Sequence, residues 1–536
     1  MHASHQHRTT TPGPVTDSPP VARPTVRPLV AALAWLVGAA AVYTLFLLIT
    51  RGEVFSSDPS NNALQSWEML HGHPLLHGWI LGDVTFYTFE LPLIALVEAV
   101  FGLSVTSLAV SMALIYLAVT ACAVALAVTG SRAAASVARA GVTLAVLIAP
   151  ILLTSVRWVP LEFPDHTGTT VFLLLSVLLI DRLLGWRITA PLLCVLLAAG
   201  QLSDVTVRYV FIPAIVVVCL YRMLAARALR TADAANLAAA VVSVPLSIVV
   251  RAVLRHFGSY LMRDPKTELS PLRDWPHNAA LTWHALRMLF GQVSNVGAPP
   301  AAAFNAVFGA CCMLAVAAGL ARVLWRWRTV SRAEQMLAAV IAINIALYLV
   351  STLAGPQSQH DMVAVLPCGA VLAARALVPE RLPDWRRALV ACAVAVCVAL
   401  VPLSVVAAQA KPRSGAFGTL IVWLQGHGLR HGLAGYWQAS AITVESGNQI
   451  QVRAVNFKRG QITPFYWETD TLWYDPARYS ANFVIAATSG NLDSPASFEK
   501  VFGQPASTER VGNVDVLIYH KNLLTQVKKG TIPRTQ

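Results

Sequence analysis

The sequence predicts a mainly α, polytopic membrane protein with a small extracytoplasmic α/β region at its C-terminal end. Three observations predict it. Of 536 residues, 56% are hydrophobic and only 12% are charged, where a soluble chain of ordinary composition carries about a quarter charged residues. The apolar residues gather in long runs, and mean hydropathy is +0.58. From Lys411 onward charge, Asn, Asp and aromatic residues return.

A spanning helix needs about 20 apolar residues, and about eleven runs qualify. They lie near 29–50, 104–129, 141–157, 168–185, 188–202, 209–223, 235–253, 301–323, 335–354, 362–378 and 388–409. A further stretch, 91–102, is too short to span and reads as re-entrant or interfacial. The N-terminal tail 1–28 is rich in Pro, Thr and Ser and reads as a disordered cytoplasmic segment. The first apolar run reads as a retained helix rather than a signal peptide.

Arginine sets the orientation. With the N-terminus inside, the inner loops collect Arg132 and Arg139, Arg182 and Arg187, Arg222, Arg227 and Arg230, Arg322 to Arg332, and Arg375 to Arg387. The short outer loops hold only Arg51, Arg157 and Arg208. This gives a polytopic body, 29–410, with outer loops 51–103 and 254–300, and a soluble outer domain, 411–536. "IQVRAV", "NFVIAAT" and "VDVLIYH" in that last part alternate as short strands. The net charge of +13 is spread over short loops and excludes a phosphate-binding face for nucleic acid. The eight cysteines lie in or beside apolar runs and read as small core residues.

Polar chemistry collects on the outer face. The first outer loop, "SSDPSNNALQSWEMLHGHPLLHGW", holds Asp58, Glu68, His71, His73 and His77, followed by Asp83 and Glu90. "LEFPDHTGTT" holds Glu162, Asp165 and His166; "GQLSDVTVRY" holds Asp204 and Arg208; "AGPQSQHDM" holds His360 and Asp361. The long outer loop adds Arg255, Arg263, Lys266 and Arg273. Ionisable groups at a membrane boundary are expensive unless solvated, paired or functional. Asp58, ahead of Pro59, is also a natural helix N-cap. Asp83 and Glu90 suit an interfacial ring beside Phe86, Tyr87 and Phe89. Asp165 or His166 could cap a helix. Asp204 and Arg208, four apart, suit either a salt bridge or, through Arg208, a phosphate clamp. The three histidines of the first loop match no metal-ligand spacing. Trp67, Trp79, Trp158, Trp275 and Trp283 suit sugar stacking or interfacial anchoring.

These stretches, with "LGDVTFYTFELPL" and "GLAGYWQASAITVESG", resemble the GT-C class of integral-membrane glycosyltransferases, especially actinobacterial members that use polyprenyl-phosphate sugars. The resemblance covers nearly the whole chain in architecture and is specific in two or three short stretches. It implies transfer of a sugar from a polyprenyl-phosphate donor to an envelope glycan, lipid or protein acceptor at the outer membrane face. It also implies that Asp58 acts as base or metal-proximal carboxylate, with Glu162 or Asp165 as the second-loop acid. His166, Asp83, Asp204, Arg208, Arg263, Lys266 and His360 become substrate-binding candidates, the cations as a clamp for the leaving phosphate. No metal ligands are assigned and no cofactor is certain. A divalent cation stays open because Asp58 is followed by Pro59 and Ser60 rather than by a second Asp. A transporter or flippase of lipid-linked glycans would carry charge at mid-membrane and an internal repeat, and neither is seen. A non-catalytic envelope scaffold is the third reading.

Overall fold

The computed structural model describes residues 26–152, 158–161, 165–181, 185–263, 267–293, 299–380, 400–410, 416–458, 460–487, 494–530 and 532. The chain divides into two compact units, Met1–Ala41 and Val42–Gln536. In the first, the described residues belong to helix α1 (Val26–Thr50).

The elements then follow in order. α2 (Ser57–Leu70), strand β1 (Trp79–Leu81) and α3 (Glu90–Phe101) lie between the first and second long apolar helices. Next come α4 (Val105–Val128), α5 (Ala133–Ile148), α6 (Trp158–Leu161), α7 (Thr169–Asp181) and α8 (Trp186–Ser203). A π-helical turn (Val207–Phe211) enters α9 (Ile212–Ala226), and α10 (Thr231–His256) follows. After β2 (Leu261–Met262) come α11 (Trp275–Leu289), α12 (Pro299–Trp325), α13 (Arg332–Val350), α14 (Val365–Leu377) and α15 (Leu400–Gln409). The C-terminal part runs α16 (Gly418–Gly426), β3 (His431–Ala434), α17 (Tyr436–Glu445), β4 (Gln451–Lys458), β5 (Gln461–Pro464) and β6 (Thr469–Asp470). It closes with β7 (Phe483–Ala487), α18 (Pro495–Phe502), β8 (Ser507–Val511) and β9 (Val514–Ile518).

Among the described residues, nine helices are long and apolar enough to cross a membrane. Those nine and two shorter apolar helices, Thr169–Asp181 and Leu400–Gln409, each fall on one of the expected runs. The run 188–202 is fuller than the sequence suggested, since α8 begins at Trp186. The segment 91–102 forms the short helix α3, too short to span.

Helices α12 and α14 cross where both lack side-chain bulk. A Cβ on Gly319 would lie 2.7 Å from the Leu372 carbonyl carbon, and one on Gly369 would lie 2.5 Å from Val316 Cγ1. Small residues let backbones meet this closely, which is how helices associate where water supplies no driving force. Gly319→Leu is therefore expected to destabilise the protein by at least about 1–3 kcal/mol through overpacking, read as a lower unfolding temperature in detergent.

The arginine-rich loops come together at one end. Arg139 Nε donates to the Val378 carbonyl (3.0 Å) and Arg375 Nη2 to that of Leu126 (2.6 Å). Asp233 lies 3.0 Å from Arg332 and 3.5 Å from Arg222, and Glu334 lies 2.7 Å from Arg322. Ser331 and Glu334 form a capping box that starts α13. These arginines are structural as well as topological. The six described cysteines are free; Cys392 and Cys397 lie outside the described residues.

The alternating C-terminal runs form a six-stranded sheet in the order β5-β4-β3-β7-β9-β8. β3 pairs in parallel with β4 and β7, and α17 supplies the crossover from β3 to β4. A second sheet, β2-β1-β6, joins three distant segments: β1 pairs with β2 in parallel and with β6 antiparallel. It ties the segment after α1, the segment after α10 and the C-terminal region into one body. One hydrophobic cluster seals the joint, with Leu64, Trp79 and Ile94 packed together with Leu433, Val444 and Leu517. Trp79, read as a sugar platform or anchor, is instead buried edge-on against Trp473, ring centroids 4.9 Å apart.

Candidate active site

The site begins where α2 begins. Ser56, in extended backbone, is its N-cap, and Asp58 sits in the first turn with its side chain uncommitted to capping. The capping role expected of Asp58 is thus overturned, because the helix starts two residues earlier than Pro59 suggested, at Ser57. The Asp58 carboxylate instead accepts a hydrogen bond from the Tyr436 hydroxyl. Asn61, one turn on, donates to the same hydroxyl (3.1 Å) and to Glu468 Oε2 (3.5 Å). Ser57 Oγ donates to the Tyr436 carbonyl. The starts of α2 and α17 are therefore pinned together. Glu468 adopts the left-handed conformation (φ +46°) and is buried. Such backbone costs about 1–3 kcal/mol for a residue other than glycine and persists only where the surroundings over-determine it.

A second cluster lies behind this one. His166 Nδ1 is 2.6 Å from Asp204 Oδ2, and its Nε2 is 3.3 Å from Asp361 and 3.7 Å from Asp165. Asp204 also accepts from Thr169 Oγ1 (2.7 Å) and the Thr206 amide (2.7 Å). His360 Nε2 is 3.5 Å from Asp165, and its ring stacks parallel to that of His166 at 6.0 Å. Asp83 is placed alongside because Val84 bridges to Asp204 and the Thr85 amide donates to the Ser203 carbonyl (2.7 Å).

Two cavities meet at Asp58. The larger, about 460 Å³, is lined by Asp58, Asp83, Asp165, His360, Trp467 and Glu468 among others. The smaller, about 340 Å³, is lined by Asp58, Tyr436, Trp437, Asn456, Phe465 and Trp467, with Val455. Asp58, Trp437 and Trp467 belong to both.

Burial governs the proton affinities. It pushes Asp58 up to about 6, against the Tyr436 hydrogen bond, with the Asp165 charge adding to the rise. Burial also raises Glu468 well above the carboxylate range, and the neighbouring Asp58 adds to it. Asp83 is raised by burial and by Asp165. Burial opposes the charge on His166, but Asp204 and Asp165 outweigh it and hold the imidazole well above its usual value. Asp204 is lowered despite burial, by the His166 charge and its hydrogen bonds. The raised His166 contributes stability that is complete below about pH 6.5 and is lost as pH rises through its folded value. The depressed Asp204 contributes above about pH 3.9 and is lost as pH falls through its folded value. Denaturation as a function of pH is expected to show this pair's contribution complete between about pH 4 and 6.5 and declining above that, and His166→Gln is expected to flatten the loss at the alkaline end.

Asp58, Asp83, Asp165 and His360 thus converge on one cavity. His166 and Asp204 stand one layer back and orient them. Arg208 is a correction twice over. It makes no salt bridge with Asp204, which His166 occupies, and it bonds Gln201 Oε1 (3.2 Å) and Ser247 Oγ (3.3 Å) instead of facing either cavity. Arg263 lies beside the site: its guanidinium sits 4.8 Å over the Trp467 ring, and its amide donates to the Leu81 carbonyl. Glu162, Lys266 and the Trp158 side chain lie outside the described residues. Glu90, read as an interfacial residue, is fully buried, and burial pushes its carboxyl up to about 8. His71, His73 and His77 are exposed and line neither cavity. Among the described residues, no group of three or more His, Cys, Asp or Glu is arranged to hold a metal ion. Sequence reasoning missed Asn61, Tyr436, Trp437, Trp467 and Glu468. The clustering of polar and aromatic residues in "GYWQ" and "YWETD" was the available signal.

Fold and composition together define a polytopic helical membrane protein whose inter-helix loops and C-terminal α/β region enclose a carboxylate-lined cleft. Its fold is similar to that of ArnT from Cupriavidus metallidurans. The crystal structure of ArnT bound to undecaprenyl phosphate aligns with a TM-score of 0.54 over 91% of this chain and 98% of that one, at 14% identity. The apo-state structure gives 0.54 over 93% and 100%, also at 14% identity. At that identity the likeness is one of fold. No protein-family model and no curated protein sequence matches the chain.

Proposed function

We propose that this chain is a membrane glycosyltransferase of the GT-C class, of the actinobacterial polyprenyl-phosphate-sugar type. It moves a sugar from a polyprenyl-phosphate donor to an acceptor at the outer face of the membrane. Its N-terminus is cytoplasmic and residues 411–536 are extracytoplasmic. The observation that carries this reading is the placement of Asp58: free of the capping role, half-buried, shifted to about 6, and at the meeting point of two cavities. A general base is most effective when its affinity lies near the working pH. The ArnT structure that holds undecaprenyl phosphate supports a lipid-linked donor of that kind.

The chemistry balances on residues present. The donor sugar occupies the larger cavity, where Asp83, Asp165 and His360 accept or donate hydrogen bonds to its hydroxyls. Its phosphate stays at the rim by Arg263, away from the carboxylates, which would repel it. An acceptor hydroxyl attacks the anomeric carbon as the bond from that carbon to the phosphate oxygen breaks. The hydroxyl proton passes to Asp58, and polyprenyl phosphate departs with the bonding electrons. Neutral Glu468 and Tyr436 hold Asp58 in place without adding charge.

Because the base must be ionised, kcat/KM is expected to fall as pH drops through about 6. A profile flat from pH 5 to 8 would remove Asp58 from that role. Measured transfer by wild type that survives in Asp58→Asn would leave the scaffold reading for this residue and shift the base to Asp165 or Glu162.

A further inference from the structure

The smaller cavity has a chemistry of its own, distinct from the carboxylate-lined one. It is built by the C-terminal region: Tyr436 and Trp437 open α17, Val455 and Asn456 lie in β4, and Phe465 and Trp467 follow β5. Aromatic faces dominate it. Tyr436 lies 4.6 Å from Phe465 and 5.2 Å from Trp437 between ring centroids. Trp437 is 65% exposed, which no packing requirement explains. Asn456 supplies a donor and an acceptor side by side. The one ionisable carboxylate lining it is Asp58, and no Lys or Arg does so.

We infer that this cavity is the acceptor subsite and that the acceptor is a neutral glycan, bound by its sugar rings on Trp437 and Phe465 with one hydroxyl presented to Asp58. The inference rests on the glycosyltransferase reading above. Sugar rings offer C–H faces to aromatic planes and hydroxyls to an amide, and the cavity supplies both. An anionic, phosphorylated acceptor would meet Asp58 without a compensating cation. An acyl chain would meet four aromatic planes and a polar amide, with Val455 as the one aliphatic side chain. At about 340 Å³ the cavity is at the small end of ligand sites, which suits a chain end rather than a folded protein surface. The hydroxyl then reaches Asp58 from this cavity while the donor sugar occupies the carboxylate-lined one.

The test uses membranes containing the full-length protein, supplied with a panel of radiolabelled polyprenyl-phosphate sugars, and fractionates the labelled product. Label in a polysaccharide fraction that resists proteases and organic extraction is expected. Label in extractable lipid, or in a protease-sensitive fraction, overturns the glycan acceptor while leaving the transferase reading intact. Absence of transfer from every donor overturns that reading, and this inference with it. With the glycan fraction as substrate, Phe465→Ala and Asn456→Ala are each expected to raise the KM for glycan about tenfold, as loss of one stacked or hydrogen-bonded contact predicts, and more than they raise the KM for donor. Phe465 also packs on Tyr436, so Asn456→Ala carries the test if Phe465→Ala fails to fold. Equal rises in both KM values would overturn the assignment of the cavity to the acceptor.

Discussion

Asp58→Asn is expected to fold as wild type does and to lose about 10²- to 10⁴-fold in the rate of sugar transfer, the range general-base catalysis supplies. The amide oxygen still accepts from Tyr436, and α2 keeps its Ser56 cap, so the local structure has no reason to change. The amide cannot take the acceptor proton at any working pH. Stability should stay within about 1 kcal/mol of wild type, the scale of one neutral hydrogen bond, or rise slightly as the desolvated carboxylate disappears. Thermal unfolding in detergent beside a transfer assay checks both halves. A fall in stability that parallels the fall in activity would make Asp58 a structural residue.

His166→Ala carries the second large effect. The Asp204 side chain is wholly inaccessible to water and depends on the imidazole as its cationic partner. Removing one member of a buried pair leaves an uncompensated charge and costs about 3–5 kcal/mol. Thr169 and the Thr206 amide keep two hydrogen bonds to Asp204, which places the loss toward the lower end of that range. Transfer should also fall, because Asp165 and Asp361 lose the group that holds them beside His360. The double variant His166→Leu with Asp204→Leu is expected to recover much of the stability and none of the activity. Such a gap between the two readouts marks a residue that orients the cleft. Equal recovery of both would show that the pair serves packing alone.

The membrane-spanning body was legible because bilayer thickness imposes a length and an apolarity that any window of sequence reveals. The sheet at 411–536 was legible from alternation, as in the Phe483–Ala487 and Val514–Ile518 strands. The outer-face carboxylates were legible as a group, since ionisable residues beside a membrane need a reason. The pairings within that group were not. Arg208 stands four residues from Asp204 and looked like its partner, yet Asp204 is the extended C-cap of α8 and Arg208 belongs to the π-helical turn Val207–Phe211, so the two share no helical face. His166, 38 residues away, takes the carboxylate instead. Asp58 looked like a cap because Pro59 favours the first helical position; Ser56 took that role. The largest omission was the C-terminal wall of the cleft. Tyr436 lies 378 residues from Asp58, and no local pattern joins them. The β1–β6 pairing that brings the two regions together is two residues long, too short to announce itself in sequence.

A cleft that works as proposed breaks the bond between sugar and lipid phosphate. The most direct measurement reconstitutes the wild-type protein in liposomes with a radiolabelled polyprenyl-phosphate sugar and envelope glycan. It then follows the donor lipid itself by mass spectrometry. The account predicts free polyprenyl phosphate appearing in step with sugar transferred, and neither product with Asp58→Asn. Intact donor lipid moved from one leaflet to the other, with no polyprenyl phosphate released, would contradict it and make the protein a transporter.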